Sequence, residues 1–372
     1  SPAFGFIKPG ESGAGHFAAF HSRVSGLPEF AGELPVTVMA EEMLTEGEGQ
    51  IRGLITTAGN PVLSAPNGNY MDQALAGLDF MVCIDIYINE TTQHADIILP
   101  PTSALEHDHY DLAFHRLAVH NTARFNEAVF EPDEGTRHDW EIFNELGLAV
   151  AARKGMEVKP LPSPDKLIDR GIQRGPYSAA AGHELELTLD KIKQHPHGLD
   201  IGPLQPSLPE RLCTSDGKIR LMADYIVEDL ARLGDEKQET DKDELLLIGR
   251  RHIRSNNSWM HNSHRLVKGK PRWQLLMHPD DMAAHQLQDQ SQVRIRSRVG
   301  EVQTQVLASD EVMPGVVSLP HGWGHKRQGV ALNIAAEQGG VSCNDLTDDK
   351  LVDRASGNSA LNGVPVKVFG IQ

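Results

Sequence analysis

A basic segment stands out in an acidic chain. Residues 245–279 contain seven Arg and Lys residues and no Asp or Glu, whereas the whole chain has a formal net charge of -16. The segment opens with the apolar run LLLIG and continues into Arg250, Arg254, Asn256, Asn257 and Ser258. Guanidinium groups bind oxyanions through paired N–H donors, and neighbouring amides and hydroxyls give such a contact direction. The segment therefore predicts a pocket for a small polyanion such as a diphosphate, with a solvated basic loop as the alternative.

A second group of residues has side chains that ligate metals. Glu106, His107, Asp108 and His109 are consecutive, and imidazole with carboxylate suits zinc, iron or nickel. In a strand, His107 and His109 would share one face. Because no third ligand is evident nearby in the sequence, ordinary surface residues remain the alternative interpretation.

The three cysteines do not form a metal-binding pattern. Cys83, Cys213 and Cys343 lie far apart, and no CxxC spacing occurs in the chain, so no iron-sulfur cluster is expected within it. An odd number of cysteines without a disulfide framework favours a reduced, cytoplasmic setting. A periplasmic location is the alternative if a signal was removed or lies upstream.

Polar residues follow the strands of a predicted parallel sheet. The apolar runs at 51–59, 80–88 and 95–100 read as strands, with a helix at 69–76 after the first of them. Strand, helix and strand in this order imply parallel pairing, and ligands gather at the carboxyl ends of such strands. Those ends carry the Gly59-Asn60-Pro61 turn, Asp85 and Asn89.

The sequence divides into three segments. Residues 1–156 predict an α/β sheet domain, and residues 157–243 predict a connecting subdomain that ends in a charged, exposed linker at 233–244. Residues 244–372 contain alternating strands such as VRIRSRVG and EVQTQVLA, which predict a closed or nearly closed β-barrel.

Composition excludes some classes of protein. The acidic balance argues against a general nucleic-acid or anionic-membrane binder, since either would need a basic footprint. No apolar run approaches the roughly 18 residues of a membrane span. The chain opens at Ser1 rather than Met, which suggests a processed product or a fragment.

The order of motifs resembles the molybdopterin oxidoreductases of the dimethyl sulfoxide reductase and formate dehydrogenase type. The resemblance spans nearly the whole chain and concerns its carboxyl-terminal portion, including the molybdopterin dinucleotide-binding domain. It rests on GNP at 59–61, CIDIYINETTQHADIILP at 83–100, LEHDHYD at 105–111, GRRH at 249–252, VMPGVVSLPHGWG at 312–324 and NDLTDD at 344–349.

This resemblance implies a molybdenum cofactor with two pterin guanine dinucleotides, held by the sheet domain and by a six-stranded β-barrel of the double-psi type. Asp85 resembles the family carboxylate that accepts two donors from a guanine edge, and Asn89 follows at matching spacing. The Gly59-Asn60-Pro61 turn resembles the loop whose main chain passes beside the nucleotide. The other matched positions would contact pterin or diphosphate or complete the barrel side: Arg250, Arg254, Asn256, Asn257, Ser258, His321, Gly322, Trp323, Gly324, Asn344 and Thr347.

The family's metal ligand and cysteine cluster normally precede the region seen here. The resemblance therefore implies no metal ligand or identified catalytic residue in this chain, and little activity of the chain alone. An iron-sulfur cluster and the molybdenum ligand are expected in a missing amino-terminal portion. The complete enzyme would catalyse two-electron oxygen-atom or hydride transfer and pass electrons through that cluster or an electron-transfer subunit. The alternative is a non-catalytic, respiratory-complex-like scaffold subunit without molybdenum, which would have no need for Asp85 opposite the basic segment.

Overall fold

In the computed structural model, two separate stretches of sequence build each of the two units of the fold. The first unit comprises Ser1–Gly15 and Pro100–Leu221, and the second comprises His16–Leu99 and Met222–Gln372. The structure describes residues 2–5, 16–206, 208–235 and 243–371. The contacts thus group the chain differently from the three consecutive segments that the sequence predicts, because the parallel sheet belongs with the distant barrel.

The β-strands of the described residues form a closed barrel, a parallel sheet and three two-stranded ribbons. They are β1 (Phe17–His21), β2 (Pro28–Phe30), β3 (Gly53–Thr57), β4 (Phe80–Ile84), β5 (Ile97–Ile98), β6 (His109–Tyr110), β7 (His120–Ala123), β8 (Phe125–Asn126), β9 (Leu199–Pro203), β10 (Leu245–Arg250), β11 (Leu275–Met277), β12 (Gln292–Arg296), β13 (Glu301–Ala308), β14 (Val316–Pro320) and β15 (Val364–Gly370).

Mostly short α-helices connect these strands. They are α1 (Met39–Leu44), α2 (Pro61–Ser64), α3 (Gly68–Ala76), α4 (Asp139–Arg153), α5 (Pro164–Gln173), α6 (Leu189–Lys193), α7 (Leu208–Arg211), α8 (Asp224–Asp235), α9 (His264–Val267), α10 (Pro279–Ala284) and α11 (Asn333–Glu337). None of those in the described ranges is long and apolar enough to cross a bilayer.

The first unit has its own small core. Its ribbons pair β6 with β8 and β7 with β9, both antiparallel. Ile172 on α5 and Ile192 on α6 are fully buried, and they pack in one cluster with Tyr110 and Phe125 from the ribbons. The unit therefore has a hydrophobic interior that does not depend on the barrel.

The predicted parallel sheet is present in the second unit. Strands β3, β4 and β5 are parallel, with Ile55 opposite Val82 and Cys83 opposite Ile98. Side chains alternate between the two faces of a strand, so one face turns Met81 and Cys83 toward a core that also contains residues of α1 and α3. The strands are shorter than the apolar runs, because each run continues into the loop beyond the sheet.

The predicted barrel is also confirmed. Six strands close in the order β10-β14-β11-β13-β12-β15. The pairs β10–β14 and β11–β13 are parallel and the others antiparallel, so the connections cross as a double-psi barrel requires. Its interior is filled by aliphatic side chains and methionines, among them Leu247, Leu275, Met277, Ile295 and Val317.

Polar side chains join the barrel to the sheet region within the second unit. Arg327 pairs with Asp72 on α3 and with Asp345 in the loop before β15, at 3.2 and 2.6 Å. The linker predicted at 233–244 begins inside α8, and its central residues, 236–242, lie outside the described residues.

Replacing Leu247 by Ala should lower the free energy of unfolding by about 2–5 kcal/mol, because a cavity would form in the barrel interior. Leu230 on α8 is 60% exposed, so Leu230→Ala should change stability by only about 0.5 kcal/mol. Denaturant unfolding of both variants measures the difference. Similar losses would show that the barrel interior is not the main stabilising core.

Candidate functional site

Three loops of the second unit enclose a cleft of about 110 Å³. One loop follows β3, the second follows β10, and the third follows β14. The cleft is lined by Ala58, Gly59, Asn60, Leu63, Ser64, Asn257, Ser258, Trp259, His321 and Gly322. Six of these residues are among those that the sequence predicts to bind a ligand: Gly59, Asn60, Asn257, Ser258, His321 and Gly322.

The barrel topology explains why two of the loops meet. Strands β10 and β14 are parallel neighbours, and Arg250 lies opposite Pro320 at their ends. Both chains therefore leave the barrel at the same rim. The His321 N–H donates to the Arg250 carbonyl at 3.0 Å and extends the pairing by one residue.

A glycine permits the closest approach of these two loops. Gly322 has φ +85°, and a Cβ atom on it would lie 2.2 Å from the Asn257 carbonyl oxygen. Asn256 and Asn257 also have positive φ, at 40° and 59°, a conformation that asparagine tolerates better than most residues. The consecutive asparagines and the HGWG motif therefore form one backbone junction.

The cations of the basic segment have different roles. Exposed Arg251 donates to Asn257 Oδ1 at 2.6 Å and so lies beside the cleft, and Arg254 is exposed on the same loop. Arg250 instead donates to the carbonyl oxygens of Ser318, Arg272 and Gln274 at 2.9–3.2 Å. Its guanidinium thus holds the end of β10 to β14 and to the segment before β11, whereas Arg251 and Arg254 keep exposed side chains.

Several other predicted residues lie behind the cleft. Trp323 is buried, and its ring stacks on the His261 ring with centroids 3.9 Å apart. Asn344 donates to the Leu63 carbonyl at 2.8 Å and accepts from the Thr347 hydroxyl at 3.1 Å. These three side chains hold the cleft in place. Gly324 does so by its small size, since a Cβ there would lie 2.7 Å from Ser342 N.

Asp85 and Asn89 form a separate arrangement at the carboxyl end of β4. Asp85 Oδ1 accepts from Tyr87 N at 3.0 Å, and Oδ2 accepts from Asn89 Nδ2 at 3.2 Å. Burial raises the pKa of Asp85, against the effect of these hydrogen bonds. A carboxylate has about four acceptor positions, so Asp85 can accept further donors from a ligand. Neither residue lines the cleft, whereas Pro61 begins α2 at its edge.

A buried network that sequence reasoning missed lies behind the cleft. Glu90 Oε1 lies 2.9 Å from His325 Nδ1, and His325 Nε2 lies 2.9 Å from His261 Nδ1. His261 Nε2 is 3.0 Å from the Ser255 hydroxyl. We call Glu90, His325, His261 and Ser255 the imidazole chain. Its four members come from three distant segments, so no local spacing could have revealed it.

Burial sets the charge states in this region. Burial alone would raise the pKa of Glu90, but hydrogen bonds from His325 and Asn60 outweigh it, and the pKa is lowered. Burial and the neighbouring His325 lower the pKa of His261 to about 3. Burial also lowers the pKa of His321 in the cleft, with a smaller effect of Arg251. At neutral pH Glu90 is therefore anionic, and His261 and His321 are neutral.

The candidate metal ligands at 106–109 do not belong to a group of three or more potential ligands in the described part of the chain. His107 Nδ1 lies 3.1 Å from the Asp108 carbonyl, and its ring packs edge-on against His138. Among the residues that the structure describes, no three His, Cys, Asp or Glu side chains converge on a metal position.

Two of the cysteines are buried thiols. Burial raises the pKa of Cys343 to about 12 and also raises the pKa of Cys83, so neither thiol is ionised at neutral pH.

A closed barrel and a parallel sheet that share a donor-lined cleft define a class of cofactor-binding α/β proteins. The family model described as molybdopterin oxidoreductase matches residues 12–149, and the one described as molydopterin dinucleotide binding domain matches residues 245–365. These two matches include all three loops of the cleft. The chain belongs to the molybdopterin oxidoreductase family.

Several known proteins are similar to this chain in sequence or in fold. The probable oxidoreductase YoaE of Bacillus subtilis is 26% identical over 86% of this chain and 45% of that protein. The alpha subunit of F420-dependent formate dehydrogenase 1 of Methanococcus maripaludis is 25% identical over 80% of this chain and 42% of that protein. Acetylene hydratase from Pelobacter acetylenicus has a similar fold, with a TM-score of 0.70 at 18% identity over 92% of this chain and 47% of that one. The chain spans about half the length of these relatives.

Replacing Gly322 by Ala should destabilise the second unit by about 1–3 kcal/mol more than Gly363→Ala does. Both glycines have positive φ, at 85° and 75°, but a Cβ on Gly363 would meet nothing within 4 Å. The pair thus separates the loop contact from backbone strain. Denaturant unfolding followed by tryptophan fluorescence measures both, and equal losses would contradict the close approach.

Stability should fall by about 2 kcal/mol between pH 7 and pH 5 because of His261. Its pKa in the folded state, about 3, is below the ordinary value of 6.5, so the unfolded chain binds the extra proton in this range. His261→Gln should flatten the dependence, whereas the exposed His264→Gln should retain it. Unfolding free energies measured across this range decide the matter, and an unchanged slope in His261→Gln would contradict the assignment.

Proposed function

We propose that this chain is the cofactor-binding portion of a molybdenum oxidoreductase, with a molybdenum ion carried by two pterin guanine dinucleotides. The observation that carries the proposal is the cleft, where loops from the sheet and the barrel converge. Asn257 and Ser258 offer uncharged donors there, Asn60 lies beside Ser258, and Arg251 lies next to them. This donor set suits phosphate and carbonyl oxygens, and a pterin dinucleotide has several of both.

The second proposed contact is between Asp85 and a guanine. A guanine edge presents two adjacent N–H donors, and a buried carboxylate with spare acceptor positions can receive both. Such donors would also offset the burial that raises the pKa of Asp85. Asn89, which donates to Asp85, would hold the carboxylate in place.

The bound cofactor would supply two-electron redox chemistry at molybdenum, in an oxygen-atom or hydride transfer. This chain's share is to bind the cofactor, to orient it and to exclude water from its buried side. The neutral His321 imidazole and the Ser258 hydroxyl can donate hydrogen bonds to the cofactor without placing a charge against it. The molybdenum ligand and an iron-sulfur cluster are proposed to lie in an amino-terminal portion, so this chain alone should not turn over substrate.

The parallel sheet offers a surface for that portion. One face packs on helices, but Ile55, Phe80 and Ile97 on the other face are 45–57% exposed. Parallel sheets normally have both faces covered. We propose that the amino-terminal portion covers this face, and that an electron-transfer subunit completes a cytoplasmic enzyme.

The sequence upstream of Ser1 in the coding DNA tests this part of the proposal. A continuous open frame with clustered cysteines, followed by a Cys, selenocysteine or Ser ligand, is expected. A start codon at the boundary, without those residues, would favour the scaffold alternative.

Asp85→Asn should weaken GDP binding at least about tenfold while leaving ADP binding unchanged, because hydrogen bonds to a charged group contribute about 1.5–3 kcal/mol. Calorimetric titration of the 372-residue chain with both nucleotides measures this preference. Asp79→Asn, directly before the amino end of β4, is the control and should bind GDP like the original chain. Equal affinity of the original chain for GDP and ADP would sink the guanine assignment.

A further inference from the structure

The orientation of the Asn60 side-chain amide is fixed by its partners behind the cleft. The Val62 N–H donates to Thr91 Oγ1 at 3.2 Å, so the Thr91 hydroxyl is free to donate to Asn60 Oδ1 at 2.8 Å. On its other side Asn60 Nδ2 lies 2.8 Å from Glu90 Oε2. Because an ionised carboxylate only accepts hydrogen bonds, the nitrogen of the amide must face Glu90.

Glu90 is well suited to enforce this orientation. Its side chain has no exposed surface, and its other oxygen accepts from His325 Nδ1. The pKa of Glu90 is lowered, because hydrogen bonds from His325 and Asn60 outweigh the opposing effect of burial. The carboxylate therefore stays ionised, and it can accept from Asn60 whether His325 is neutral or protonated.

The second N–H of Asn60 is directed toward the cleft. Asn60 Nδ2 lies 3.5 Å from the Ser258 hydroxyl oxygen across the cleft. A hydroxyl that accepts on that side keeps its own O–H available for another acceptor. Because Asn60 donates its two N–H groups to Glu90 and Ser258, the free donor of this pair is the Ser258 O–H, and a ligand with oxygen acceptors matches it.

The imidazole chain connects this arrangement to the other two loops. His261 belongs to the loop that carries Ser258, and His325 follows the His321-Gly322 pair closely in sequence. Trp323 stacks on the His261 ring and fixes its plane. Ser255 is the last member of the imidazole chain. Because its side chain is only 6% exposed and does not line the cleft, the Ser255 hydroxyl cannot serve as an activated nucleophile there.

We propose that Glu90 is a specificity-determining residue that acts through Asn60: it turns the Asn60 amide so that an N–H faces the Ser258 oxygen, which leaves the Ser258 O–H to donate to the oxygen-rich edge of a nucleotide or pterin. This inference rests on the proposed function and deepens it. Glu90 is a positioning residue, because it does not itself line the cleft. Thr91 fixes the same amide from the oxygen side.

A double-mutant cycle between Glu90 and Asn60 tests the proposal, with GDP as the probe and calorimetry as the readout. Glu90→Gln should weaken GDP binding about tenfold, since its own amide can present a donor to Asn60 and reverse it. In the Asn60→Ala background the same change should alter affinity by less than about twofold. Equal effects in both backgrounds would overturn the proposal, because Glu90 would then act through general stability.

Further variants distinguish a specific effect on GDP binding from a general loss of folding. Thr91→Val is nearly isosteric and should weaken GDP binding in the same direction. Asp348→Asn is the matched control: it removes a buried carboxylate that pairs with Arg298 in the same unit but does not line the cleft. It should lower thermal stability and leave GDP affinity within about twofold. A comparable loss of affinity in Asp348→Asn would contradict the specific role of Glu90.

A measurement without ligand separates this proposal from the proposed function. In NMR spectra the Asn60 side-chain amide protons should exchange with solvent more slowly than those of exposed Asn256, and Glu90→Gln should abolish the difference. Failure of the original chain to bind GDP would contradict the proposed function. Unchanged exchange in Glu90→Gln would contradict the role of Glu90, whatever the binding result.

Discussion

The burial of the Glu90 carboxylate is the constraint on which the cleft depends. A buried charge is costly unless hydrogen bonds satisfy it, and removal of one partner leaves it uncompensated. Here the partners are Asn60 from the sheet region and His325 from the loop after β14. Because His325 also contacts His261, satisfying one carboxylate draws all three loops together. The cleft geometry is therefore a consequence of where a charge is buried.

The barrel supplies the second half of this arrangement. Two parallel strands in a barrel release their chains at the same rim, and β10 and β14 bring together the NNS and HGWG motifs in this way. Such parallel pairs require long crossover connections, so the two motifs lie more than sixty residues apart. Gly322 then allows the backbones to touch at Asn257. A pair of motifs that are unremarkable separately becomes one wall of a binding cleft.

The packing of individual side chains also explains which of the predicted residues line the cleft and which lie behind it. Arg250 was predicted as an anion ligand because it lies in the basic segment, but its guanidinium donates to carbonyls on β14 and on the segment before β11. Trp323 belongs to a loop motif and yet lies in the interior, where it supports His261. Residue type and spacing indicate that a loop has a function, whereas the direction of each side chain depends on packing that involves distant strands.

The sequence by itself determined the parallel sheet, the barrel, the family and six residues of the cleft. The sheet and the barrel follow from apolar periodicity and turn residues, which are local signals. The family, and cleft residues such as His321 and Gly322, were implied by the resemblance of the motifs to a known family. Only the tertiary structure decided the grouping of the sheet with the barrel, the role of Arg250 and the imidazole chain of Glu90, His325, His261 and Ser255. Those features depend on contacts between residues such as Glu90 and His325, which are 235 positions apart. A buried charge needs hydrogen-bond partners, and the tertiary structure decides which distant residues provide them, so no local sequence pattern can identify those partners.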